Sequence, residues 1–355
     1  MPMSNLAIRD VEAFPLREPA SGHRYTLLRL RTTSGLTGYG ECARVTLPEL
    51  EQARRILDSR PANAWAGLPA GTPMRGALCT ALADLTAKAC ETPLFRLLGG
   101  PTRTKARAIT SLEGSTDDQL AASLQAGMKA GFRAFGVPLS GLAAGGAAQA
   151  FVHAVRARVE KLRSAGGPGV DWVLYGDAAL EPAQAGRLAA DLEDLHLLWF
   201  DEPCGLHALA AVRRMAEETV TTLGFGRDVR EVARFQALLR EGLAGVLRPD
   251  ISFHGIAGVR AIAALAETYY VAIAPHQNGG PVATAAAIHT AASVPNFFIQ
   301  HVALPTDARD REMRRVLVRE PVETAGEGFL ALPSGAGLGI TINPKALQQY
   351  EDTTP

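Results

Sequence analysis

Seven ionisable residues stand where apolar runs stop. Asp177 ends WVLYGDA (172–178), and Asp201 with Glu202 ends LLWFDEP (197–203). Arg227 follows TTLGFG (221–226), Asp250 ends GVLRPD (245–250), His276 lies in VAIAPHQ (271–277) and His301 in NFFIQHV (296–302). Each has a plain alternative. Asp177 can hold a turn through its own backbone, Arg227 can be a solvated loop charge, and a lone His is more often packed than catalytic. Together they read differently. Two adjacent carboxylates at the end of a buried run cost free energy unless something positive faces them. A carboxylate beside an imidazole, as in Asp250 and His276, fixes the tautomer and raises basicity, which makes a proton acceptor near neutral pH.

The elements that must position these residues alternate. Eight apolar runs, beginning with ARAITSL (106–112) and FRAFGVPL (132–139), are separated by segments whose apolar residues recur every three or four positions. Pro182 suits a first helical turn, and Gly131 and Gly242 suit helix stops. Eight strand–helix units in about 200 residues predict a (β/α)8-type barrel, whose C-terminal strand ends line the site. A doubly wound sheet is the runner-up, but it needs a glycine loop after an early strand, and SGAGLG near residue 335 comes too late. Before residue 106, RYTLLRLRTTSGLTGYGEC alternates and breaks at SG and TG like antiparallel strands, and a helical stretch ends at Gly99–Gly100. SGLAAGGAAQA (140–150) is low in complexity, and its start reads as a flexible loop. The domain expectation is 1–105 capping, 106–320 barrel, and 321–355 returning to the cap.

The 355 residues carry 36 Lys and Arg against 36 Asp and Glu, a net charge of zero that argues against nucleic acid or a membrane surface as partner. No long uncharged apolar run or basic leader pattern is present. Cys42, Cys79, Cys90 and Cys204 show no CxxC spacing, so a reducing, cytoplasmic setting is expected, with Cys204 packed and not nucleophilic.

The chain resembles the enolase superfamily, in its mandelate racemase-like branch. GLTGYGEC is similar to the family's first-domain hairpin, ALADLTAKACETPLFRLLGG to its helix leading into the barrel, and GITINPKALQQY to its returning C-terminal segment. The order Asp177, FDEP, RPD, APH follows the family's barrel. The resemblance implies an α/β fold, a (β/α)8-type barrel with an α+β capping domain built from the N-terminal region and the C-terminal tail. It also implies proton abstraction α to a carboxylate, with magnesium held by three acids. By that resemblance the ligand positions are Asp177, Asp201 and a third that is Arg227 here, Asp228 being one residue out of register. Gly136 and Pro138 stand where a Lys-x-Lys is usual, Asp250 and His276 match the base dyad, and His301 replaces a glutamate.

A permanently cationic guanidinium repels magnesium and binds carboxylates, so Arg227, with Glu202, is expected to be substrate-binding or metal-replacing, and no cofactor is expected, magnesium being the alternative. The expectation is therefore a divergent protein without metal-dependent enediolate chemistry. It would retain His276–Asp250 chemistry, with His301 as acid, or binding of a small carboxylate. The alternative is an active racemase or dehydratase of a hydroxy or sugar acid, an isomerase or a lyase. A small acid-sugar partner and homo-oligomerisation are expected by resemblance.

Overall fold

The computed structural model describes residues 6–58, 60–69, 72, 74–142 and 148–352. Of the 140–150 stretch, whose start was expected to be a loop, 140–142 are described and 143–147 lie outside the described residues. The chain opens with an antiparallel sheet of β1 (Ile8–Arg17), β2 (Arg24–Thr32) and β3 (Thr37–Cys42) in sequential order. The break expected at TG is not a turn: Thr37 and Gly38 lie inside β3. The glycines there serve packing. After α1 (Leu47–Leu57) comes α2 (Arg75–Ala89), and a Cβ on Gly40 would fall 2.0 Å from the Ala77 carbonyl oxygen of α2. Only glycine lets the hairpin lie that close.

A short helix, α3 (Leu94–Leu97), leads into eight strand–helix units. The strands are β4 (Lys105–Ser111), β5 (Ala134–Pro138), β6 (Asp171–Tyr175), β7 (Trp199–Asp201), β8 (Leu223–Phe225), β9 (Val246–Leu247), β10 (Ala272–Ile273) and β11 (Gln300–Val302). The helices that follow them in turn are α4 (Asp117–Lys129), α5 (Ala148–Gly166), α6 (Pro182–Asp191), α7 (Leu209–Glu217), α8 (Val232–Arg240), α9 (Ile251–Glu267), α10 (Pro281–Ala291) and α11 (Ala308–Leu317). Neighbouring strands pair in parallel from β4 to β10, and β11 pairs with β4. The Phe298 N–H donates to the Ile273 carbonyl (2.8 Å) and closes the ring. This is the (β/α)8-type barrel the alternation predicts. Gly131 and Gly242, at φ 89° and 64°, stop α4 and α8 in the left-handed conformation open to glycine.

Inside the barrel Ile109, Ala134, Val173, Trp199, Val246, Ala274 and Ile299 form a buried layer beneath the strand ends. Between barrel and helices lies a second, larger core. Late in the chain, β12 (Phe329–Ala331) pairs antiparallel with β4, and α12 (Pro344–Gln349) precedes a bridge between Glu351 and Leu16 of β1. The capping helix α2 also packs on α9. A Cβ on Gly76 would meet the Ser252 carbonyl oxygen at 2.1 Å, and α9 kinks at Gly255 (φ 63°), beside Cys79 of α2. Among the described residues no helix is long and apolar enough to cross a membrane.

Candidate active site

Every strand-end residue named from the sequence sits at the C-terminal mouth of the barrel, and they divide into two groups. One is ionic. Asp201, at the end of β7, is fully buried. Its Oδ1 accepts the Trp199 indole N–H (2.8 Å) and lies 2.8 Å from Arg248 Nε, while Oδ2 lies 3.2 Å from Arg227 Nε. Neither arginine N–H is aimed well enough to count as a hydrogen bond, so both contacts are chiefly coulombic. Arg227 also donates from Nη2 to Asp177 Oδ1 (2.6 Å), and its guanidinium lies 5.3 Å from the centre of the Tyr175 ring. Burial opposes the charge on Arg227, but Asp201 and Asp177 outweigh it and hold the guanidinium above its ordinary pKa. Asp228, one residue on, is exposed and lies 3.8 Å from Arg230. Register therefore points the arginine inward and the acid outward.

Glu202 is buried too, but faces backbone: its Oε1 accepts the N–H groups of Gly226 (2.6 Å) and Arg227 (2.7 Å). Burial, then the Asp201 charge, push its carboxyl up to about 7. Asp177 and Glu202 adopt φ of 50° and 42°, a conformation unusual for non-glycine residues and frequent at functional sites.

The second group is a carboxylate with two imidazoles. Asp250 Oδ2 lies 2.9 Å from His276 Nδ1, and its Oδ1 caps α9 by accepting the Phe253 N–H (2.9 Å). Burial works against the Asp250 charge, yet the His276 N–H holds its pKa below the ordinary carboxylate value. Burial lowers the pKa of His276, so it rests as a neutral imidazole with Nδ1–H toward Asp250 and Nε2 free to accept. His301 stacks against it, with ring centres 4.9 Å apart and 13° between planes. Its Nδ1 lies 2.8 Å from the Gln277 carbonyl oxygen and its Nε2 2.8 Å from Ser111 Oγ. A carbonyl only accepts, so Nδ1 carries the proton. Burial, then His276 and Arg248, hold His301 well below the ordinary histidine pKa. In that tautomer its Nε2 is the acceptor for the Ser111 hydroxyl.

Three residues were missed as members of the site. Ser111, at the end of β4, and Tyr175, at the end of β6, look like ordinary strand residues, although the Tyr175 ring fills the space a side chain at Gly136 would need. Arg248, fully buried, donates from Nη1 to the Ala274 carbonyl (2.7 Å); an arginine inside an apolar run was the available signal. Cys204 is a buried packing residue, as expected, its thiol pushed up to about 11 by burial.

A closed barrel ringed at its strand ends by acids, arginines and histidines defines an enzyme-type barrel with a capping sheet. The chain belongs to the enolase superfamily, in its mandelate racemase-like branch: residues 119–346 match the family described as Enolase C-terminal domain-like. A D-galactonate dehydratase from Ralstonia pickettii is 28% identical over 360 residues, covering 94% of this chain and 92% of its own. Another from Pectobacterium atrosepticum is 25% identical with the same coverage. A mandelate racemase/muconate lactonizing enzyme-like protein from Rubrobacter xylanophilus superposes with a TM-score of 0.87 at 24% identity, over 99% of this chain and 98% of its own. An enolase from Agrobacterium radiobacter, provisionally assigned as a galactarate dehydratase, binds sodium and L-malate; it is 25% identical, with a TM-score of 0.86 over 97% of this chain and 95% of its own.

These relatives correct two expectations. A divergent chain without the family's chemistry is not the better description of a protein that aligns nearly end to end with named dehydratases. The expectation of no cofactor is overturned likewise, since the Agrobacterium protein holds a cation with an organic acid and magnesium is the family's metal. The residues here were misleading because an arginine in a ligand position was taken to decide the whole reaction. The donor set itself fits magnesium poorly as placed. Among the described residues no three His, Cys, Asp or Glu side chains have metal-binding spacing, and Arg227 already spans Asp177 and Asp201.

Proposed function

We propose that the protein is a dehydratase of small hydroxylated carboxylic acids, with acid sugars as the substrate class. The observation that carries the reading is the Asp250–His276 pair at adjacent strand ends, its free Nε2 at the mouth where Arg227 stands 15% exposed. The substrate carboxylate docks against the Arg227 guanidinium, the exposed cation of the ionic group. His276 Nε2 takes the proton α to that carboxylate, and Asp250 stabilises the imidazolium. Negative charge developing on the carboxylate faces the fixed guanidinium of Arg227, placed before reaction begins, while the fully buried Arg248 stays paired with Asp201. The His276 imidazolium then gives its proton to the departing β-hydroxyl, leaving an enol that becomes a 2-keto-3-deoxy acid. The dehydratase names of relatives spanning most of the chain support the same reading.

The domain division belongs to this proposal, with 1–105 and 321–355 forming a cap over a barrel of 106–320. Contacts between Arg17 N–H and the Tyr350 carbonyl (3.2 Å) and between Asp352 N–H and the Pro15 carbonyl (2.8 Å) support it. Homo-oligomerisation is also part of the proposal, and light scattering tests it. For the activity, a panel of aldonic and aldaric acids is incubated with and without magnesium, and 2-keto acid is read as its semicarbazone. Turnover of at least one member that is lost in a folded His276→Ala variant is the expected result. No turnover anywhere in the panel, or turnover untouched by that substitution, rejects the reading.

A further inference from the structure

The dehydration step leaves one arrangement unused. Ser111 Oγ sits 2.8 Å from His301 Nε2, and the opposite ring nitrogen is anchored on the Gln277 carbonyl at 2.8 Å. With the proton fixed on Nδ1, the Nε2 lone pair accepts the serine O–H. A hydroxyl on an imidazole whose tautomer is set by a third group is the arrangement that activates a serine nucleophile. Two donor-bearing buried groups adjoin the pair's surroundings: the Tyr175 hydroxyl, whose nearest side-chain hydrogen-bond partner is Ser111 and whose ring lies edge-on to His301 with centres 6.4 Å apart, and Arg248 Nη2, which has no hydrogen-bond partner. Such groups are what a developing oxyanion needs.

The neighbouring cavity suits a particular reactant. It has a volume of about 780 Å³; Ser111 and His301 do not themselves line it, but Glu113, two residues after Ser111, Ala303, two after His301, and Asn278, next to Gln277, do. Four carboxylates line it, Glu18, Glu113, Asp307 and Asp310, against two guanidinium groups. Those guanidiniums are already engaged, Arg309 with Asp307 (3.2 Å) and Arg314 with Glu18 (2.6 Å). A polar cavity with excess negative charge favours a neutral polyhydroxylated molecule over an anion.

We propose that Ser111 is an acyl-transfer nucleophile that opens neutral lactones of hydroxylated acids. The Ser111 proton passes to His301 Nε2 as Oγ bonds to the lactone carbonyl carbon. The ring C–O bond then breaks, and the ring oxygen leaves with the proton from His301. Water attacks the acyl-serine, its proton passing through His301 to Ser111 as the free acid departs. This activity does not depend on the dehydration proposal, because it uses neither His276 nor Asp250.

The test uses the full chain. Wild-type protein is incubated with a fluorophosphonate, and the modified peptide is identified by mass spectrometry. Hydrolysis of D-galactono-1,4-lactone is followed separately in a pH-stat. Label on Ser111, and lactone hydrolysis at least 100-fold faster than in a folded Ser111→Ala variant, are expected. Absence of label from Ser111, hydrolysis no faster than buffer, or equal hydrolysis by the variant overturns the proposal. Peptide mapping needs no variant, so a folding defect in Ser111→Ala leaves the test intact. A chain that opens lactones but dehydrates nothing, or the reverse, separates the two proposals.

Discussion

Replacing Arg248 with methionine keeps the volume and stem of the side chain and removes one charge. The arginine and its partner Asp201 are both completely buried, 2.8 Å apart. After substitution Asp201 keeps the Trp199 indole N–H and an Arg227 nitrogen at 3.2 Å. Removing one member of a buried pair costs about 3–5 kcal/mol, because the other charge stays behind without compensation. At roughly 2.1 cal/mol/K per residue, a chain of this length has an unfolding entropy of about 0.75 kcal/mol/K. The melting temperature should therefore fall by about 4–7 °C, read by scanning fluorimetry at one scan rate. Adding Asp201→Asn should recover part of that loss, since the uncompensated charge goes; a coupling of about 1–3 kcal/mol is expected for residues in contact. A shift under 1 °C for Arg248→Met, or a double variant as destabilised as the two single losses added together, refutes the view that this pair is coupled.

Asp250→Asn keeps a good helix cap for α9 but removes the charge behind His276, so the protein should remain folded while dehydration falls about 10²–10⁴-fold in kcat. Arg227→Glu replaces the guanidinium between Asp177 and Asp201 with an acid, and should give a magnesium-dependent rise in melting temperature larger than wild type shows. Glu41 is buried against the first turn of α10, accepting N–H groups from Gly280, Val282 (3.2 Å) and Ala283 (3.2 Å); burial outweighs these and pushes its carboxyl up to about 7. The folded state thus holds a proton that the unfolded chain releases at the ordinary value of 4.5, so this group's stabilisation is full below pH 4.5 and lost as pH rises through about 7. Urea melts across that window should show Glu41→Gln less pH-dependent than wild type, by up to about 1.4 kcal/mol per pH unit.

The barrel was legible because its signal repeats: apolar run, polar terminus, amphipathic helix, eight times over. The positions at the mouth were legible for the same reason, each polar residue being the end of a strand. Partners were not. Nothing in ARAITSL indicates that Ser111 faces an imidazole 190 residues away, since any strand may end in serine. Arg248 was missed because sequence does not say that its guanidinium lies over the indole of Trp199, 5.2 Å from the ring centre. Gly38 was misread as a turn because close packing and left-handed backbone both select glycine, and the sequence does not distinguish them. The tautomer of His301 was not legible because it depends on the Gln277 carbonyl, a backbone atom that no side-chain pattern encodes.

The glycine contact between the two long helices has a mechanical consequence. Asp250 is both the carboxylate behind His276 and the first residue holding α9, and the turn it caps is pressed against Gly76 of α2 at Ser252. The cap is thus moored to the Asp250–His276 pair directly. A single methyl group wedged into that seam, as in Gly76→Ala, would tilt the helix from its root and disturb the dyad while leaving every residue of the mouth unchanged.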